Sequence, residues 1–440
     1  MFFPFLDISQ TTQPKKYHTI ITTMAKKSIF SHNEDDILSD DKRQQPAIPG
    51  VIQPFNVKKD ILNIIANIMT ANDSSNIGII QNKLYKQFLG SQPVSFTKND
   101  ISEKLLTQDY YVCEKTDGLR VLMFVIMNPM TNKQNIFFID RENNFYLNEE
   151  LNILLPFNSN VLHNGTLIDG ELVVQHINKK FELRFLMFDL LTVNNKSIIN
   201  KPTSSRLAHI GHDILKPLND LKINNSDLYS KFEFKFGMKK MEFSYNLVHI
   251  FKQIESKKIP HFSDGLIFTP INKRYQLFTK DDFLLKWKPS NENSIDFKMI
   301  LRFENPTDPD YTKIPIIDLY VWKGGEDKSY TANPNTYYNS KDLKVLSKTY
   351  SRLDSLNVSE KLWKKLVSLN EPLNGRIVEC YRNENNQWCF LRFRDDKLQG
   401  NHINVVSNII YSINDNVQED ELEEVVGEIK KNWNERHPKK

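Results

Sequence analysis

Short apolar runs, each bounded by turn residues, set the strongest limit on how this chain can fold. Between residues 110 and 290 these runs are YYVCEK, RVLMFVIM, NIFFID, GTLIDGELVV, LRFLMFDLL, DGLIFTP and FLLKWKP. Runs of this length and content are typical of strands, and few long helical patterns separate them. The sequence therefore predicts antiparallel or mixed sheets, and a doubly wound parallel fold fits it less well.

A second group of strand-type runs follows Pro289 and reads DFKMILRFEN, IPIIDLYVW, GRIVECYR and QWCFLRFR. Short alternating strands of this kind predict a small barrel. Apolar residues from Ile61 to Met69 have helical spacing, and so do Leu422, Val425, Val426, Ile429 and Trp433. The second set predicts an amphipathic helix over 417–434 that needs a surface to pack on. We expect an α+β protein with folded domains at 46–290 and 291–412.

Composition limits the remaining possibilities. The chain has 440 residues and a net charge of only +4, so contacts with nucleic acid are expected to be local. Residues 1–45 are polar and read as a disordered extension. Three cysteines without zinc spacing fit a reduced intracellular compartment. Because no apolar run reaches roughly 18 residues, no membrane span is expected.

The segment EKTDGLR holds the first candidate catalytic residue, Lys115. Asp117 and Gly118 form a turn dipeptide, so Lys115 is expected at a strand end, fixed by backbone pairing and a tight turn. A lysine acts as a nucleophile only when its amine is partly neutral, which requires burial or neighbouring cations that lower its pKa. Taken alone, the motif would equally describe a surface hairpin with a solvated lysine.

Three further strand-type runs carry carboxylates next to glycine or aromatic residues. TLIDGELVV places Asp169 and Glu171 on the same side of a strand. MFDLL contains Phe188 and Asp189, and SDGLIFTP leads from Asp264 into another strand. Any one of these could be an ordinary hairpin. Together they predict one cleft in which carboxylates hold Mg²⁺ and ribose hydroxyls.

Two basic segments complete the set. LLKWKP alternates Lys286 and Lys288 with a tryptophan, so both lysines face one side of a strand, where a phosphate or solvent would suit them equally. The segment LRFRDDKLQGN crowds charge at a strand end. Charge of this density is usually solvated, and its functional use would be to hold leaving phosphates. Its charged residues include Arg392, Arg394, Asp396 and Lys397.

Taken in order, these segments resemble the collinear motifs of the covalent nucleotidyltransferases, which include mRNA-capping guanylyltransferases and ATP-dependent polynucleotide ligases. KTDGLR resembles the first motif, DGELV, FDLL, DGLIF and LLKWKP the next four, and RFRDDKLQGN the sixth. The capping family generally has R-x-R-x-D-K-x-x-P-N in the sixth motif, so Gly400 departs from that pattern while Asn401 follows it. TDG, SDGLIFTP, WKPSNENSIDF and IVECYR resemble the fungal guanylyltransferases. The likeness spans residues 47–405.

The resemblance implies a nucleotidyltransferase domain, an OB-fold domain and a terminal helix that packs back on the first domain. It also implies that Lys115 attacks the α-phosphorus of GTP and carries GMP as a phosphoramidate. The residues it assigns to GTP are Arg120 and Glu171 for the ribose, Phe188 for the guanine, Lys286 and Lys288 for the α-phosphate, and Arg394, Asp396 and Lys397 for the β- and γ-phosphates after domain closure. The carboxylates it suggests for Mg²⁺ or Mn²⁺ are Asp264 and Asp169.

The same resemblance implies partners. A 5′-diphosphate RNA end would take GMP from the lysine, which makes the inverted 5′–5′ cap. A separate RNA 5′-triphosphatase subunit and the phosphorylated C-terminal tail of RNA polymerase II would be protein partners, and the nucleus the location. The family reads guanine partly with polar groups between the third and fourth motifs, where KFGMKKMEFSY offers Lys235, Lys239 and Lys240 without a choice among them.

Two other functions compete with this one. An ATP-dependent polynucleotide ligase would use the same covalent chemistry, but the sixth motif and the short region before the first motif argue against it. A non-catalytic RNA-binding scaffold could keep the fold after losing activity. The presence of Lys115, Glu171, Lys286 and Lys397 opposes the scaffold interpretation.

Overall fold

The computed structural model describes residues 46–71, 77–149, 153–177, 180–256, 258–289, 292–326, 340–383, 385–415 and 417–438. The extension expected over residues 1–45 lies outside the described residues. The strands, in chain order, are β1 (Val51–Ile52), β2 (Gln92–Ser95), β3 (Tyr110–Thr116), β4 (Leu119–Met127), β5 (Gln134–Ile139), β6 (Phe145–Leu147), β7 (Thr166–Ile177), β8 (Lys180–Val193), β9 (Lys196–Ser197), β10 (Lys235–Met238), β11 (Glu242–Phe243), β12 (Ser263–Pro270), β13 (Lys280–Trp287), β14 (Ser294–Arg302), β15 (Ile316–Trp322), β16 (Tyr350–Asn357), β17 (Ile377–Arg382) and β18 (Trp388–Phe393).

The α-helices lie between these strands and after the last of them. They are α1 (Phe55–Thr70), α2 (Ile77–Lys86), α3 (Lys98–Asp100), α4 (Thr203–His209), α5 (Lys216–Asn224), α6 (Ser226–Ser230), α7 (Leu247–Glu255), α8 (Ser340–Thr349), α9 (Glu360–Ser368), α10 (Ile403–Asp415), α11 (Glu419–Glu424) and α12 (Val426–Arg436). Two π-helical stretches, Ile101–Leu105 and Ile210–Leu215, continue α3 and α4. Within the described residues, no helix has both the length and the apolar character needed to cross a membrane.

The first sheet has the strand order β1-β6-β5-β4-β7-β8-β10, with β9 paired to β8. Its middle strand β4 is apolar without alternation because both of its faces are covered. Val121 and Met123 pack in a core that includes residues of α4 and α5, whereas Leu122 and Phe124 pack in a core with α1. A strand covered on both sides has no face left for polar residues, which explains the continuous run in the sequence.

The second sheet has the order β11-β3-β12-β13-β2, and the chain's terminal segment packs on it. This segment is two helices, α11 and α12, rather than the single helix expected from the apolar spacing. Leu422 and Ile429 are buried in the core that contains Leu266 and Trp287 of β12 and β13. The Trp287 Nε1–H also donates to the Val417 carbonyl at 2.8 Å. The apolar stripe of the terminal segment is therefore covered by the sheet that carries the first motif.

The third sheet pairs in the order β14-β15-β16-β18-β17, and β17 returns to β14 to close the ring. Its strands alternate, as the sequence indicated. In β14, Ile295, Phe297 and Met299 point into a core that also contains Trp363 of α9 and Val406 of α10. The residues between them point away from that core, which places Asp296 on the outside of the barrel.

Candidate active site

A cleft of about 360 Å³ opens between the first and second sheets. The first sheet contributes side chains from β4, β7 and β8, and the second sheet contributes side chains from β3, β12 and β13. Residues from five of the six sequence motifs meet there: Lys115, Arg120, Asp169, Glu171, Phe188, Asp189, Ile267, Lys286 and Lys288 all line the cleft. Strand alternation explains part of the selection, as for Asp169 and Glu171 of β7, whereas Phe188 and Asp189 are adjacent in β8 and both line the cleft.

Lys115 is the next-to-last residue of β3, just before the turn, and its amine is bonded to a carboxylate from the fourth motif. Its Nζ lies 2.6 Å from Oδ1 of Asp264, while the Nζ of Lys288 lies 2.6 Å from Oδ2 of the same group. Asp264 therefore joins two lysines from different strands. The Lys115 side chain retains 24% exposure, so a ligand in the cleft can reach its amine.

The electrostatics of this trio make Lys115 a better nucleophile. Burial lowers the pKa of Lys115, and the positive charge of Lys288 lowers it further, against the opposing effect of Asp264. Burial opposes the charge of Asp264 as well, yet Lys288 and Lys115 together hold its pKa well below the ordinary value. Lys288 keeps its proton because Asp264 outweighs burial and raises the pKa of Lys288. One lysine is thus shifted towards the neutral amine beside a permanently charged one.

Gly265 explains how Asp264 reaches this position. Its φ is +153°, and a Cβ on this residue would lie 2.0 Å from the carbonyl oxygen of Trp287. A side chain is therefore excluded by the backbone of β13. Because β12 and β13 approach so closely, Asp264 and Lys288 are held side by side, which is what the acid-glycine pair in the sequence encodes.

Arg120 and Asp169 form a buried pair at the bottom of the cleft. The guanidinium donates to both Asp169 oxygens, at 3.0 and 2.7 Å, and lies 5.4 Å from the centre of the Phe188 ring. The hydroxyl of Tyr275 donates to Asp169 at 2.5 Å and accepts from the Ser91 N–H at 3.0 Å. Asp169 has no exposed surface, and its oxygens are occupied.

Both carboxylates predicted to hold a metal ion have cationic partners in this structure. Asp169 is fully buried and is bonded by an arginine and a tyrosine, so here it positions the arginine, and its role as a metal ligand stays a prediction. Asp264, the other candidate metal ligand, has an ammonium group on each oxygen, and these two charges oppose a metal ion there. Within the described residues, no group of three or more His, Cys, Asp or Glu side chains is arranged to hold a metal.

Glu171, Lys239 and Phe188 form the other end of the cleft. The Nζ of Lys239 lies 2.6 Å from Oε2 of Glu171 and 5.6 Å from the centre of the Phe188 ring. Burial alone would lower the pKa of Lys239, but Glu171 outweighs it and raises that pKa. Of the three lysines considered for guanine, Lys239 alone is among the described lining residues. Lys235 donates to the Tyr229 carbonyl, and Lys240 pairs with Glu242.

Lys286 is the lining cation whose charge is least compensated. Burial lowers its pKa to about 8, and the neighbouring charges of Lys288, Lys115 and Arg141 act in the same direction. Arg141 and Arg274 also line the cleft, and in the described part of the chain neither they nor Lys286 pairs with a carboxylate. Unpaired positive charge is therefore concentrated on one side of the cleft, next to Lys115.

The sixth motif lies elsewhere. Arg394, Asp396 and Lys397 are absent from the described residues that line the cleft, and they bond to carboxylates of the barrel or to each other. Asp396 accepts two hydrogen bonds from Arg394, at 2.9 and 2.8 Å. Asp396 therefore orients Arg394 in this structure, and its predicted part in holding the phosphates stays a prediction.

Sequence reasoning did not find Arg141, Tyr275 or Arg206. Arg206 donates to both oxygens of Asp189, at 2.6 and 2.8 Å, so these two lining residues form an internal pair. Tyr275 and Arg274 follow β12 in a segment without a strand or helix, and Arg141 lies between β5 and β6. The run Lys-Arg-Tyr at residues 273–275, close to the fourth motif, was the available signal for Arg274 and Tyr275.

Comparison with known proteins shows which family the chain belongs to. A family model described as the mRNA capping enzyme catalytic domain matches residues 43–290, and a model of the C-terminal domain matches residues 292–423. The mRNA-capping enzyme subunit alpha of Saccharomyces cerevisiae is 46% identical over 91% of this chain and 89% of its own length. The subunit of the same name from Candida glabrata is 46% identical over 90% of both chains.

Two further comparisons are more distant. The Schizosaccharomyces pombe alpha subunit is 34% identical over 86% of this chain and 87% of its own. Among solved structures, a mycobacterial DNA ligase D complexed with ATP and MES covers 70% of this chain and 96% of its own, at 11% identity and a TM-score of 0.34. That overlap is too loose to bear on function, whereas the sequence similarity to the capping enzymes extends over nearly the whole chain. The chain therefore belongs to the family of mRNA-capping enzyme alpha subunits, and it is an mRNA guanylyltransferase.

Proposed function

We propose that Lys115 is the residue that takes GMP from GTP and passes it to RNA. The observation that carries this proposal is the shared contact of Lys115 and Lys288 with Asp264, which orients the Lys115 amine, while burial and the charge of Lys288 lower the pKa of Lys115. The neutral amine attacks the α-phosphorus, an N–P bond forms, and the bond to the departing pyrophosphate breaks. The lysine proton is lost to solvent through the open cleft.

Charge balance in the cleft supports the placement of the phosphates. The cations of the inner cleft are each opposed by a carboxylate, as in the pairs Arg120–Asp169 and Lys239–Glu171. The excess positive charge of Lys286, Arg141 and Arg274 is expected to bind the polyphosphate, which carries the complementary charge. Lys288, already next to Lys115, is expected to contact the α-phosphate together with Lys286.

The remaining end of the cleft suits the nucleoside. We propose that Phe188 stacks on the guanine, since its ring is half-buried with one edge in the cleft. Lys239 is the proposed hydrogen-bond donor to the base. Glu171 and Arg120 are the proposed ribose contacts, and their existing partners hold both side chains in one orientation. Preorganised side chains of this kind lose little entropy when the nucleotide binds.

We propose that the domain of residues 291–412 is an OB fold that closes on the domain of residues 46–290. Closure would bring Arg394 and Lys397 to the β- and γ-phosphates, because neither residue lines the cleft in the present arrangement. Asp396 would act through Arg394. A 5′-diphosphate RNA would then take GMP from Lys115 after pyrophosphate has left and the domains have reopened.

A divalent cation, Mg²⁺ or Mn²⁺, is proposed to enter on the phosphates of GTP. Asp264, Asp169 and Glu171 are each bonded to a cationic side chain, so these three carboxylates supply no ready ligand set. Magnesium sites in nucleotide enzymes often use substrate phosphates for much of their coordination.

The partners follow from family membership. Relatives named as alpha subunits support the proposal that a second subunit, with RNA 5′-triphosphatase activity, prepares the 5′-diphosphate end. The phosphorylated C-terminal tail of RNA polymerase II is proposed as a further partner, with the nucleus as the site of action.

The first test is incubation of the purified protein with α-labelled GTP, or separately ATP, followed by a denaturing gel. We expect a labelled band with GTP only, and its loss in Lys115→Ala. Lys240→Ala is the matched control because Lys240 pairs with Glu242 outside the cleft. Labelling that survives Lys115→Ala would refute the lysine assignment, and labelling by ATP alone would indicate ligase chemistry.

A second test separates the two half-reactions. Lys397→Ala should slow formation of lysyl-GMP by roughly 10-fold or more, because a charged contact to phosphate is lost. Transfer of GMP from preformed lysyl-GMP to 5′-diphosphate RNA should change little. Equal losses in both half-reactions would contradict the proposed closure.

A further inference from the structure

The carboxylate of Asp296 is the common partner of the two sixth-motif cations. Asp296 lies on the outer face of β14, and its side chain is only 5% exposed. The Nη1 of Arg394 lies 3.1 Å from its Oδ1, and the Nζ of Lys397 is bonded to its Oδ2. Arg394 and Lys397 approach Asp296 from the turn that follows β18. One buried carboxylate therefore determines where both cations lie on the barrel.

Cross-strand pairing explains why Arg394 takes this position. Asp296 on β14 is directly opposite Glu379 on β17, and Glu379 is opposite Arg392 on β18. Two carboxylates opposite each other repel unless a cation lies between them. Arg394 supplies that cation, since its Nη1 is also 3.4 Å from Glu379. The pair of acidic residues thus fixes the direction of the Arg394 side chain.

Backbone contacts hold the turn itself against Asp296, independently of its charge. The Asn401 N–H donates to the Asp296 carbonyl at 2.7 Å, and the Asp296 N–H donates to the Asn401 side chain at 2.8 Å. A Cβ on Gly400 would lie 2.5 Å from the Asp296 carbonyl oxygen. The turn therefore leaves no room for a side chain at Gly400, the position at which the sixth motif of the capping family generally has proline. Replacing the Asp296 carboxylate by an amide removes charge and leaves these backbone contacts in place.

We propose that Asp296 is a positioning residue of the first half-reaction, which holds Arg394 and Lys397 side by side so that both reach the leaving phosphates together. This inference rests on the proposed role of the sixth motif in the closed enzyme. Arg394 and Lys397 exchange part of their contact with Asp296 for the phosphates, and the second contact of Arg394 with Asp396 keeps its orientation during that exchange. Asp296 itself does not touch the substrate.

The test compares Asp296→Asn with Asp318→Asn in the full chain. Asp318 is a matched control because it is equally buried on the same barrel and also holds two cations, Arg302 and Arg352, at 3.0 and 2.8 Å. We expect Asp296→Asn to slow both lysyl-GMP formation and its reversal by pyrophosphate, on the order of 10- to 100-fold. Transfer of GMP to 5′-diphosphate RNA should stay at the wild-type rate, and Asp318→Asn should leave all three rates unchanged.

A second variant distinguishes a positioning effect from a general loss of folding. Gly400→Ala displaces the turn without removing a charge, and it should also slow lysyl-GMP formation while sparing transfer to RNA. In a Lys397→Ala background, Asp296→Asn should slow lysyl-GMP formation by a smaller factor than it does alone, because part of its effect passes through Lys397.

Several outcomes would overturn the inference. These are faster lysyl-GMP formation in Asp296→Asn, equal losses in Asp296→Asn and Asp318→Asn, or an equal loss in transfer to RNA. If Lys397→Ala and Arg394→Ala both form lysyl-GMP at the wild-type rate, the proposed role of the sixth motif fails first. Absence of GTP labelling in wild-type protein would instead contradict the proposed function of Lys115.

Discussion

At the scale of single residues, the cations of the cleft fall into two groups that differ in the direction of their pKa shifts. Arg120, Lys239 and Lys288 are bonded to carboxylates and keep their protons. Lys115 and Lys286 have lowered pKa values, for which burial is the main cause. The first effect fixes side chains in place, while the second provides a nucleophile and a proton-sensitive phosphate contact.

The lowered pKa of Lys286 predicts a pH limit for the first half-reaction. In the free enzyme Lys286 loses its proton as the pH rises through about 8, and its attraction for phosphate is lost with it. Deprotonation of Lys115 only favours attack, so it cannot cause a decline at high pH. We expect kcat/KM for lysyl-GMP formation to fall above pH 8, towards roughly tenfold per further pH unit.

Lys286→Arg tests this assignment because an arginine stays charged throughout that range. The decline above pH 8 should disappear in Lys286→Arg, whatever its maximal rate, and should persist in the control Lys240→Arg. The profile is measured by quenched single-turnover labelling with GTP. An unchanged decline in Lys286→Arg would assign the limit to another group.

At the scale of elements, the sequence predicted most strands but not the contacts between them. The runs around Lys115 and Asp264 became β3 and β12, because alternation and turn residues are local signals. Pairing of Asp169 with Arg120, or of Asp189 with Arg206, depends on which strands become neighbours, and no local pattern encodes that. Asp169 was therefore predicted as a metal ligand without its buried arginine and tyrosine partners, and Tyr275, which lies outside any strand or helix, was missed.

In the terminal segment too, the sequence predicted the helical pattern but not every feature that depends on packing. Its apolar spacing predicted an amphipathic helix in need of a partner, and the structure has Leu422 and Ile429 buried on the second sheet. The break between α11 and α12 at Val425 was not predicted, since valine is an ordinary helix residue in this context. Helix ends of this kind are determined by packing against the sheet rather than by the local sequence.

Packing of α12 predicts a large stability effect from one side chain. Ile429 is 1% exposed beneath the sheet, so Ile429→Ala should lower the free energy of unfolding by about 2–4 kcal/mol through lost burial and a cavity. Glu428→Ala, on the exposed side of the same helix, should change it by less than about 0.5 kcal/mol. Urea unfolding followed by tryptophan fluorescence measures both. A shift for Ile429→Ala no larger than that for Glu428→Ala would show that α12 contributes little to the core.

At the scale of the whole molecule, the site is divided between two places. The nucleotide cleft lies between the first two sheets, while Arg394 and Lys397 lie on the barrel and are bonded to Asp296. Catalysis by the complete set of motifs requires these two places to meet, which is the physical reason for the proposed closure. A hinge between the domains would then govern pyrophosphate release as well as GTP capture.

Closure predicts a change of shape that small-angle X-ray scattering can measure. With Lys115→Ala, GTP binds without reacting, and the radius of gyration should decrease when GTP and Mg²⁺ are added. The double variant Lys115→Ala/Lys397→Ala should decrease less, because one of the contacts that favours the closed form is missing. Identical curves with and without GTP for Lys115→Ala would contradict closure.

The position of the terminal segment has a consequence for how the protein is made. Ribosomes synthesise the barrel before residues 417–436, yet these residues complete the core behind β12 and β13. The sheet that bears Lys115 therefore stays incomplete, with Leu266 and Trp287 uncovered, while more than a hundred later residues are translated. A nascent chain interrupted after the barrel would have every motif residue and still lack a finished active site, so the order of synthesis itself delays the onset of guanylyltransferase activity.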